Sequence, residues 1–261
     1  MPPTPPTGAQ TVTFRPLISA QEITPGFDLA QLLWEAGREY WTPGLIAIIT
    51  HKAVAKAEGR LVPLRQVQPS PLALTYAQTC SKDPRLIELV LQESQRIVRM
   101  TPRALIVQTK QGPICANAGI DLSNLAPSSE GEGEPVACLL PRDPDASARR
   151  LALELEKKCG FLVPIIISDS WGRPWREGIV NFALGSYGLY PFSDYRGSLD
   201  SAGRPLRVTR MASADALAAG AELACGKLGR APFVLVSGFP WSPSSAGSQE
   251  LLRPLERDLF P

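Results

Sequence analysis

Acidic, hydroxyl and basic side chains follow a buried apolar run in the segment IIISDSWGRPWREG, residues 165–178. Asp169 and Ser170 follow the isoleucines after one intervening serine, and Arg173 and Arg176 lie a little further along. A carboxylate beside a hydroxyl offers the hard oxygen ligands that suit Mg²⁺ or Mn²⁺, whose coordination is usually completed by substrate phosphates. The arginines add forked donors for an anion. These residues therefore predict a metal and anion site at the end of a strand.

The same segment also suits a purely structural turn. In that interpretation Arg173, Arg176 and Glu177 pair with one another, while Trp171 and Trp175 pack beneath them. Composition alone leaves the two interpretations level.

A second set of oxygen and amide groups occurs in CANAGIDLSN, residues 115–124. Asp121 offers another carboxylate, and Ser123 and Asn124 offer groups for a phosphate or a metal. An Asx-turn uses the same residue types for structure, and for this motif taken alone the turn is the favoured interpretation.

Basic residues gather in THKAVAKAEGR, residues 50–60, after an apolar run. His51, Lys52, Lys56 and Arg60 form a local cationic set able to contact phosphates. The alternative is a solvated strand end, which is the usual role of a run of charges.

The segment GAELACGKLG, residues 220–229, superficially resembles a phosphate-binding loop. Such a loop needs four residues between its glycines and a Ser or Thr after the lysine, whereas this segment has Leu228 after Lys227 and follows a predicted helix. Gly226 is instead expected to end that helix, with Lys227 near its negative end.

Composition narrows the possible chemistry. The chain has 261 residues, 27 Lys plus Arg against 25 Asp plus Glu, and one histidine. A net charge of +2 gives no general basic field, which argues against nucleic acid as a partner. A single histidine excludes HExxH zinc sites and leaves His51 as the sole candidate base for Ser-His-Asp or Cys-His catalysis.

The remaining composition favours a cytoplasmic protein. Five scattered cysteines without a CxxC pair indicate reduced thiols, the start MPPTPPTGAQ lacks the features of a signal peptide, and no apolar run is long enough to span a membrane.

Strands and helices must position these residues, and their signals alternate along the chain. Strands are predicted at 44–55, 104–109, 163–168 and 233–238. Asp83-Pro84 and Asp143-Pro144 predict the starts of two helices, Gly160 the end of the second, and an Ala-rich helix follows Ser213. The connections 109–141 and 172–206 are predicted to be long loops. We expect an α/β fold, mixed α+β, with a Pro-rich N-terminus at 1–12, one domain at 13–240 and a tail at 241–261.

Six of these segments occur together in one known family. THKAVAKAEGR, CANAGIDLSN, LPRDPDASARR, IIISDSWGRPWREG, DYRGSLDSAGRPLRVTRMASADALAAGAEL and GKLGRAPFVLVSG stand in the order found in coenzyme F420:glutamate ligases, and the resemblance spans about Phe14 to Phe239. It implies a family-specific mixed-sheet fold, an intertwined homodimer, GTP as nucleotide, and Mg²⁺ or Mn²⁺, with K⁺ as a further candidate ion. It also implies that a carboxylate of the F420 precursor is phosphorylated and then joined to the amine of L-glutamate.

The resemblance also assigns roles to single positions. It implies metal carboxylates at Asp121 and Asp169, with Ser170 in place of the usual Thr ligand. Nucleotide contacts are implied at Asn124 and Lys56, and more weakly in the loop at Ser19, Ala20 and Gln21. We add His51, Lys52 and Lys227 as candidate phosphate contacts, and Arg173 and Arg176 as candidate anion clamps beside the catalytic carboxylates.

Four positions depart from the family pattern. His51 and Ala55 stand where serines are common, Lys227 stands where some relatives have a Gln ligand, and Ala216 replaces a Glu. A protonated Lys cannot coordinate a cation, so Lys227 is expected to meet a phosphate. These departures leave open a related ligase with another acceptor and a non-catalytic nucleotide-binding homologue.

Overall fold

A computed structural model describes residues 10–122, 135–227 and 229–259. Ser123 and Asn124 lie outside these ranges. The strands are β1 (Thr13–Leu17), β2 (Ile46–Thr50), β3 (Leu61–Pro63), β4 (Ser94–Thr101), β5 (Ala104–Thr109), β6 (Ile114–Ala116), β7 (Val136–Cys138), β8 (Ile165–Arg173), β9 (Arg176–Tyr187), β10 (Ser193–Asp194), β11 (Arg210–Met211) and β12 (Phe233–Ser237). The helices are α1 (Leu29–Ala36), α2 (His51–Ala57), α3 (Pro71–Cys80), α4 (Pro84–Gln92), α5 (Pro144–Cys159) and α6 (Ser213–Cys225). The predicted mixed α/β class is confirmed.

A five-stranded mixed sheet forms the centre of the protein, in the order β1-β12-β2-β8-β9. Strands β2 and β8 are parallel, and the other neighbours are antiparallel. Ile49 and Ile167 face a core shared with α1 and α5, whereas Ile48 and Ile166 face a core shared with α6. Because both faces are covered there, the central strands have continuous apolar runs rather than alternating ones, at Ile46–Ile49, Ile165–Ile167 and Phe233–Val236.

A smaller antiparallel sheet, β4-β5-β6, packs against α3 and α4. The strand pair β3–β7 connects it to the main sheet, since β3 follows α2 and β7 precedes α5. No helix within the described ranges has the length and apolar character needed to cross a lipid bilayer.

The predicted helix boundaries at the Asp-Pro pairs are confirmed. Asp83 Oδ1 accepts a hydrogen bond from the Arg85 amide at 2.8 Å, and Asp143 Oδ1 accepts one from the Ala146 amide at 2.9 Å. Gly160 ends α5 in the left-handed region, with φ of 78°. An Asp at the N-cap satisfies one of the amides that the first helical turn leaves unpaired.

Two predicted element boundaries were wrong. The strand predicted at 44–55 ends at Thr50, and α2 begins at the next residue. The strand predicted to end at Ser168 continues to Arg173 and returns as β9, so the predicted long loop at 172–206 contains a 12-residue strand. The first error arises because short apolar runs occur in both strands and helices. The second arises because a strand that extends beyond the core has polar residues, although its backbone hydrogen bonds to the neighbouring strand continue.

The edge strand β9 is held by helix α6. The amide of Asn181 donates to Glu222 Oε2 at 3.1 Å, and the amide of Ala183 donates to Asp215 Oδ1 at 2.9 Å. Carboxylates thus satisfy backbone donors that would otherwise lie exposed on an edge strand. These bonds also fix the direction of α6, whose end leads to Lys227.

Candidate functional site

One row of paired residues crosses four strands of the main sheet. Leu17 lies opposite Phe233, Phe233 opposite Ile49, and Ile49 opposite Ile167. Strands β1, β2 and β8 all pass this row in the same direction, towards the edge at which β12 begins. Residues that follow the row on β1, β2 and β8 therefore lie near residues that precede it on β12. This brings together 18–22, 51–52, 169–170, 227 and 229–232. We call this end of the sheet the polar edge.

At the polar edge, His51 contacts Asp169. Their separation is 3.0 Å from Nδ1 to Oδ1, and the two side chains are only 4% and 8% exposed. The amide of Ser170 also donates to Asp169 Oδ1, at 2.6 Å. The contact follows from the parallel register, because Thr50 pairs with Ser168, and the residues that come next are His51 at the start of α2 and Asp169 on β8.

The pKa of His51 is strongly perturbed by these surroundings. Burial acts to lower it, but the charge and hydrogen bond of Asp169, with a smaller contribution from Cys138, outweigh burial and raise the pKa to about 10. Burial, together with the negative charge of Asp169, raises the pKa of the Cys115 thiol to about 12. In the ligand-free protein at neutral pH, Asp169 therefore faces a protonated imidazole and an uncharged thiol.

The next residue, Lys52, contacts the second predicted carboxylate. Lys52 Nζ lies 2.6 Å from Asp121 Oδ2. The backbone of Asp121 exchanges two hydrogen bonds with Cys138, at 3.1 and 2.8 Å, which fixes the carboxylate beside the start of α2. Two consecutive residues of α2 thus contact Asp169 and Asp121, which the structure brings from different sheets to the same helix start.

The third predicted oxygen ligand also lies beside a base. Lys227 Nζ is 3.4 Å from Ser170 Oγ, on the exposed side of the polar edge. The structure therefore places Lys227 at the predicted site, beside the predicted ligand Ser170.

The loop after β1, for which nucleotide contacts are predicted, lies against α2. Lys56 Nζ pairs with Glu22 Oε1 at 2.6 Å, and the amide of Ser19 donates a hydrogen bond to the carbonyl oxygen of Arg230 at 3.3 Å. Ala20 and Gln21 are exposed between these two attachments. Sequence reasoning missed Glu22 and Arg230. The available signals were that Glu22 adjoins the predicted loop and that Arg230 ends the segment GKLGR.

The arginines of the β8–β9 hairpin lie away from the polar edge. Arg173 is four residues beyond Asp169 on an extended strand, about 13 Å along it, and its Nη2 donates to the carbonyl of Glu177 at 3.4 Å. Trp171 stacks on Phe182 with 4.9 Å between ring centroids, but Trp175 is 85% exposed at the tip. Packing was therefore the right expectation for Trp171 and the wrong one for Trp175, because the hairpin projects beyond the core.

Arg176 is exposed at the start of β9. The structure thus does not bring the two predicted anion clamps, Arg173 and Arg176, to the carboxylates in this conformation.

The oxygen donors at the polar edge suit a metal that arrives with phosphates rather than a metal alone. Within the described ranges, no three His, Cys, Asp or Glu side chains converge closely enough to hold an ion. Asp121, Asp169 and Ser170 offer the hard oxygens that Mg²⁺ or Mn²⁺ prefers, and phosphates commonly supply the rest. His51, Lys52 and Lys227 contact these donors, and Lys56 lies one turn after Lys52 on α2, so the donors have basic neighbours that suit a polyanion.

A family model and several known proteins that match this chain all have the same described activity. The model of the F420-0:Gamma-glutamyl ligase family matches residues 17–238. A coenzyme F420:L-glutamate ligase of Methanothermobacter thermautotrophicus is 42% identical over 94% of this chain and 95% of its own length. Proteins of the same name from Methanopyrus kandleri and Methanocaldococcus jannaschii are 38% and 35% identical, over 97% and 83% of this chain and 99% and 84% of their own lengths.

Proposed function

The chain belongs to the F420-0:gamma-glutamyl ligase family and is a ligase, and on that premise we propose that it joins L-glutamate to a carboxylate of a coenzyme F420 precursor, with GTP as the phosphoryl donor. The observation that carries the proposal is the set of contacts between three carboxylates and three basic side chains at and beside the polar edge, together with Lys227 beside Ser170, all within the residues that the family model matches.

Amide formation from a free carboxylate needs activation. An oxygen of the precursor carboxylate attacks the γ-phosphorus of GTP, and the bond from that phosphorus to the β–γ bridging oxygen breaks, which gives an acyl phosphate and GDP. The amine of glutamate then attacks the acyl carbon, phosphate leaves, and the nitrogen loses a proton. Both steps bring anions together, so neutralisation of charge is the main task of the protein.

The basic residues of the polar edge are suited to that task. Lys52 and Lys56 extend from successive turns of α2, and Lys227 approaches from the opposite side beside Ser170. We assign these three lysines to the phosphates of GTP, and the exposed loop at Ser19, Ala20 and Gln21 to the rest of the nucleotide. Their current partners are carboxylates and a hydroxyl, which a nucleotide and its cation would replace.

Asp121, Asp169 and Ser170 are the residues that would hold Mg²⁺ or Mn²⁺. When bound, such an ion neutralises phosphate charge and orients the transferred group. K⁺ stays a candidate for a second ion. Arg173 and Arg176 retain a proposed role with an anionic substrate, which requires the hairpin to move or the substrate to extend along β8.

The surface supports a homodimer. Ile97 and Val98 of β4 are 41% and 36% exposed, and Trp175 and Ile179 of the hairpin are 85% and 53% exposed. We propose that in the homodimer a partner covers these side chains, since contiguous apolar surface is typical of interfaces. All five cysteines are free thiols, which supports a reducing compartment such as the cytoplasm.

A reconstituted reaction tests the proposal. Purified protein is incubated with GTP, Mn²⁺ or Mg²⁺, L-glutamate and the F420 precursor, and the glutamylated product and GDP are measured by mass spectrometry and chromatography. We expect both products in equal amounts, and loss of at least 100-fold in rate in Asp121→Asn.

Glu39→Gln is the matched control for this test. It makes the same carboxylate-to-amide change at an exposed position between α1 and β2, and should keep full activity. GDP formation with a different carboxylate acceptor, and none with the precursor, would instead identify a ligase of another substrate. Absence of both products from folded protein would refute the proposal.

A further inference from the structure

The two oxygens of the Asp169 carboxylate lie in different environments. His51 Nδ1 and the amide of Ser170 both contact Oδ1, at 3.0 and 2.6 Å. No hydrogen bond or ion pair from the described residues reaches Oδ2, which is therefore the oxygen that can face a ligand. A carboxylate held by two donors on one oxygen cannot rotate without losing both.

The imidazole is itself rigidly placed. His51 is 3% exposed, begins α2 directly after the buried strand β2, and lies between Asp169 and Cys138. Its Nε2 is fully buried and has no hydrogen-bond partner among the described residues. Because the His51 side chain is enclosed, it cannot extend to a nucleotide bound at the polar edge. We therefore take its contact with Asp169 as the interaction by which it acts on the site.

We propose that His51 is a positioning residue, which holds Asp169 Oδ1 through an Nδ1–H that neutral and protonated imidazole can both carry, so that Oδ2 alone is presented to the divalent cation that accompanies the nucleotide. The inference rests on the proposed function, because it assumes a cation at Asp169. It differs from the expectation that His51 contacts the nucleotide itself. Residues that hold a ligating carboxylate from behind typically change metal affinity or activity by about 10- to 100-fold when they are removed.

Three substitutions test the role of the Nδ1 donor. His51→Asn keeps an N–H close to the position of Nδ1, His51→Gln moves it by one methylene, and His51→Ala removes it. We expect His51→Ala to weaken Mn²⁺ binding by about 10- to 100-fold. His51→Asn should stay within about threefold of the unchanged protein, and His51→Gln should lie between them.

The measurement is the binding of Mn²⁺ in the presence of a non-hydrolysable GTP analogue, followed by electron paramagnetic resonance, which does not depend on turnover. Steady-state kinetics should agree, with a raised Mn²⁺ concentration for half-maximal rate in His51→Ala and a kcat at saturating Mn²⁺ that changes by less than about threefold. Circular dichroism identifies the folded variants. If His51→Ala does not fold, the difference between His51→Asn and His51→Gln decides the question.

The outcomes separate this inference from the proposed function. Equal Mn²⁺ binding by the unchanged protein and His51→Ala, or tighter binding by His51→Ala, would overturn the positioning role while the ligase assignment stands. Equal weakening in His51→Asn and His51→Ala would show that volume rather than the donor matters, and would also overturn it. Failure of the unchanged protein to bind Mn²⁺ would reject both the metal assignment and the inference.

Discussion

Asp169→Asn should destabilise the metal-free protein as well as stop catalysis. The substitution removes a negative charge that faces a buried imidazole at 3.0 Å, while it keeps the size of the side chain. The protein therefore loses the partner that stabilises protonated His51, and folding of the variant requires that the buried imidazole be neutral.

The size of the effect follows from the His51 pKa. The shift from 6.5 to about 10 sets an upper limit of about 4 kcal/mol at pH 7 for the contribution of the charged pair. Because the Asn oxygen still accepts a hydrogen bond from neutral imidazole, we expect a loss of about 2–3 kcal/mol in the free energy of unfolding. A chain of this size should then melt about 4–12 °C lower.

The effect has a characteristic dependence on pH. The folded-state pKa is raised above its unfolded value, so the stabilisation is fully present below pH 6.5 and is lost as the pH rises through about 10. The difference in stability between the unchanged protein and Asp169→Asn should therefore be largest near pH 6 and small above pH 10.

Urea denaturation followed by circular dichroism, in EDTA at pH 6, 8 and 10, measures this difference. Glu39→Gln, which changes an exposed carboxylate between α1 and β2, should stay within about 0.5 kcal/mol of the unchanged protein at each pH. A loss in Asp169→Asn that is the same at pH 6 and pH 10 would refute the charged pair as its source.

Three further outcomes are expected. Lys227→Met should change the unfolding free energy by less than about 0.5 kcal/mol, because this lysine is exposed and lies 3.4 Å from Ser170. It should nevertheless raise the KM for GTP about tenfold. An unchanged KM would show that Lys227 does not contact the phosphates. Cys115, whose pKa burial raises to about 12, should react with a thiol reagent at pH 8 only after denaturation, and rapid labelling of native protein would contradict its enclosure. Gly185→Ala places a Cβ 2.5 Å from backbone atoms of Pro144. It should therefore lower the free energy of unfolding by about 1–3 kcal/mol in urea titrations. An unchanged stability would show that α5 can shift away from β9.

The sequence was most informative about features that depend on interactions between residues close together in the chain. The capping oxygens of Asp83 and Asp143 act within their own first turns, and Gly160 adopts a conformation that few other residues tolerate. Those boundaries could therefore be predicted, and the structure confirms them. The types of the site residues also limited the chemistry, because one histidine and many oxygen and ammonium groups suit phosphates and hard cations.

The boundary at His51 shows where local reasoning stops. The run from Leu45 to Ala55 is apolar except for Thr50, His51 and Lys52, and short apolar runs of this kind occur both in buried strands and in buried helices. The change from β2 to α2 is decided by the packing of Ala53 and Val54 against the core on one face of the sheet. Only this change directs His51 and Lys52 to the two carboxylates.

By itself, the sequence determined the mixed α/β class, the local helix ends and a set of residues suited to phosphate and metal chemistry. The tertiary structure decided which of them meet. The parallel register of β2 and β8 brings His51 to Asp169, and the pairing of Asp121 with Cys138 brings that carboxylate to Lys52. The continued ladder of β8 and β9 carries Arg173 and Arg176 away from them. Pairing between distant strands depends on the whole sheet, and residue types along one segment carry no record of that pairing.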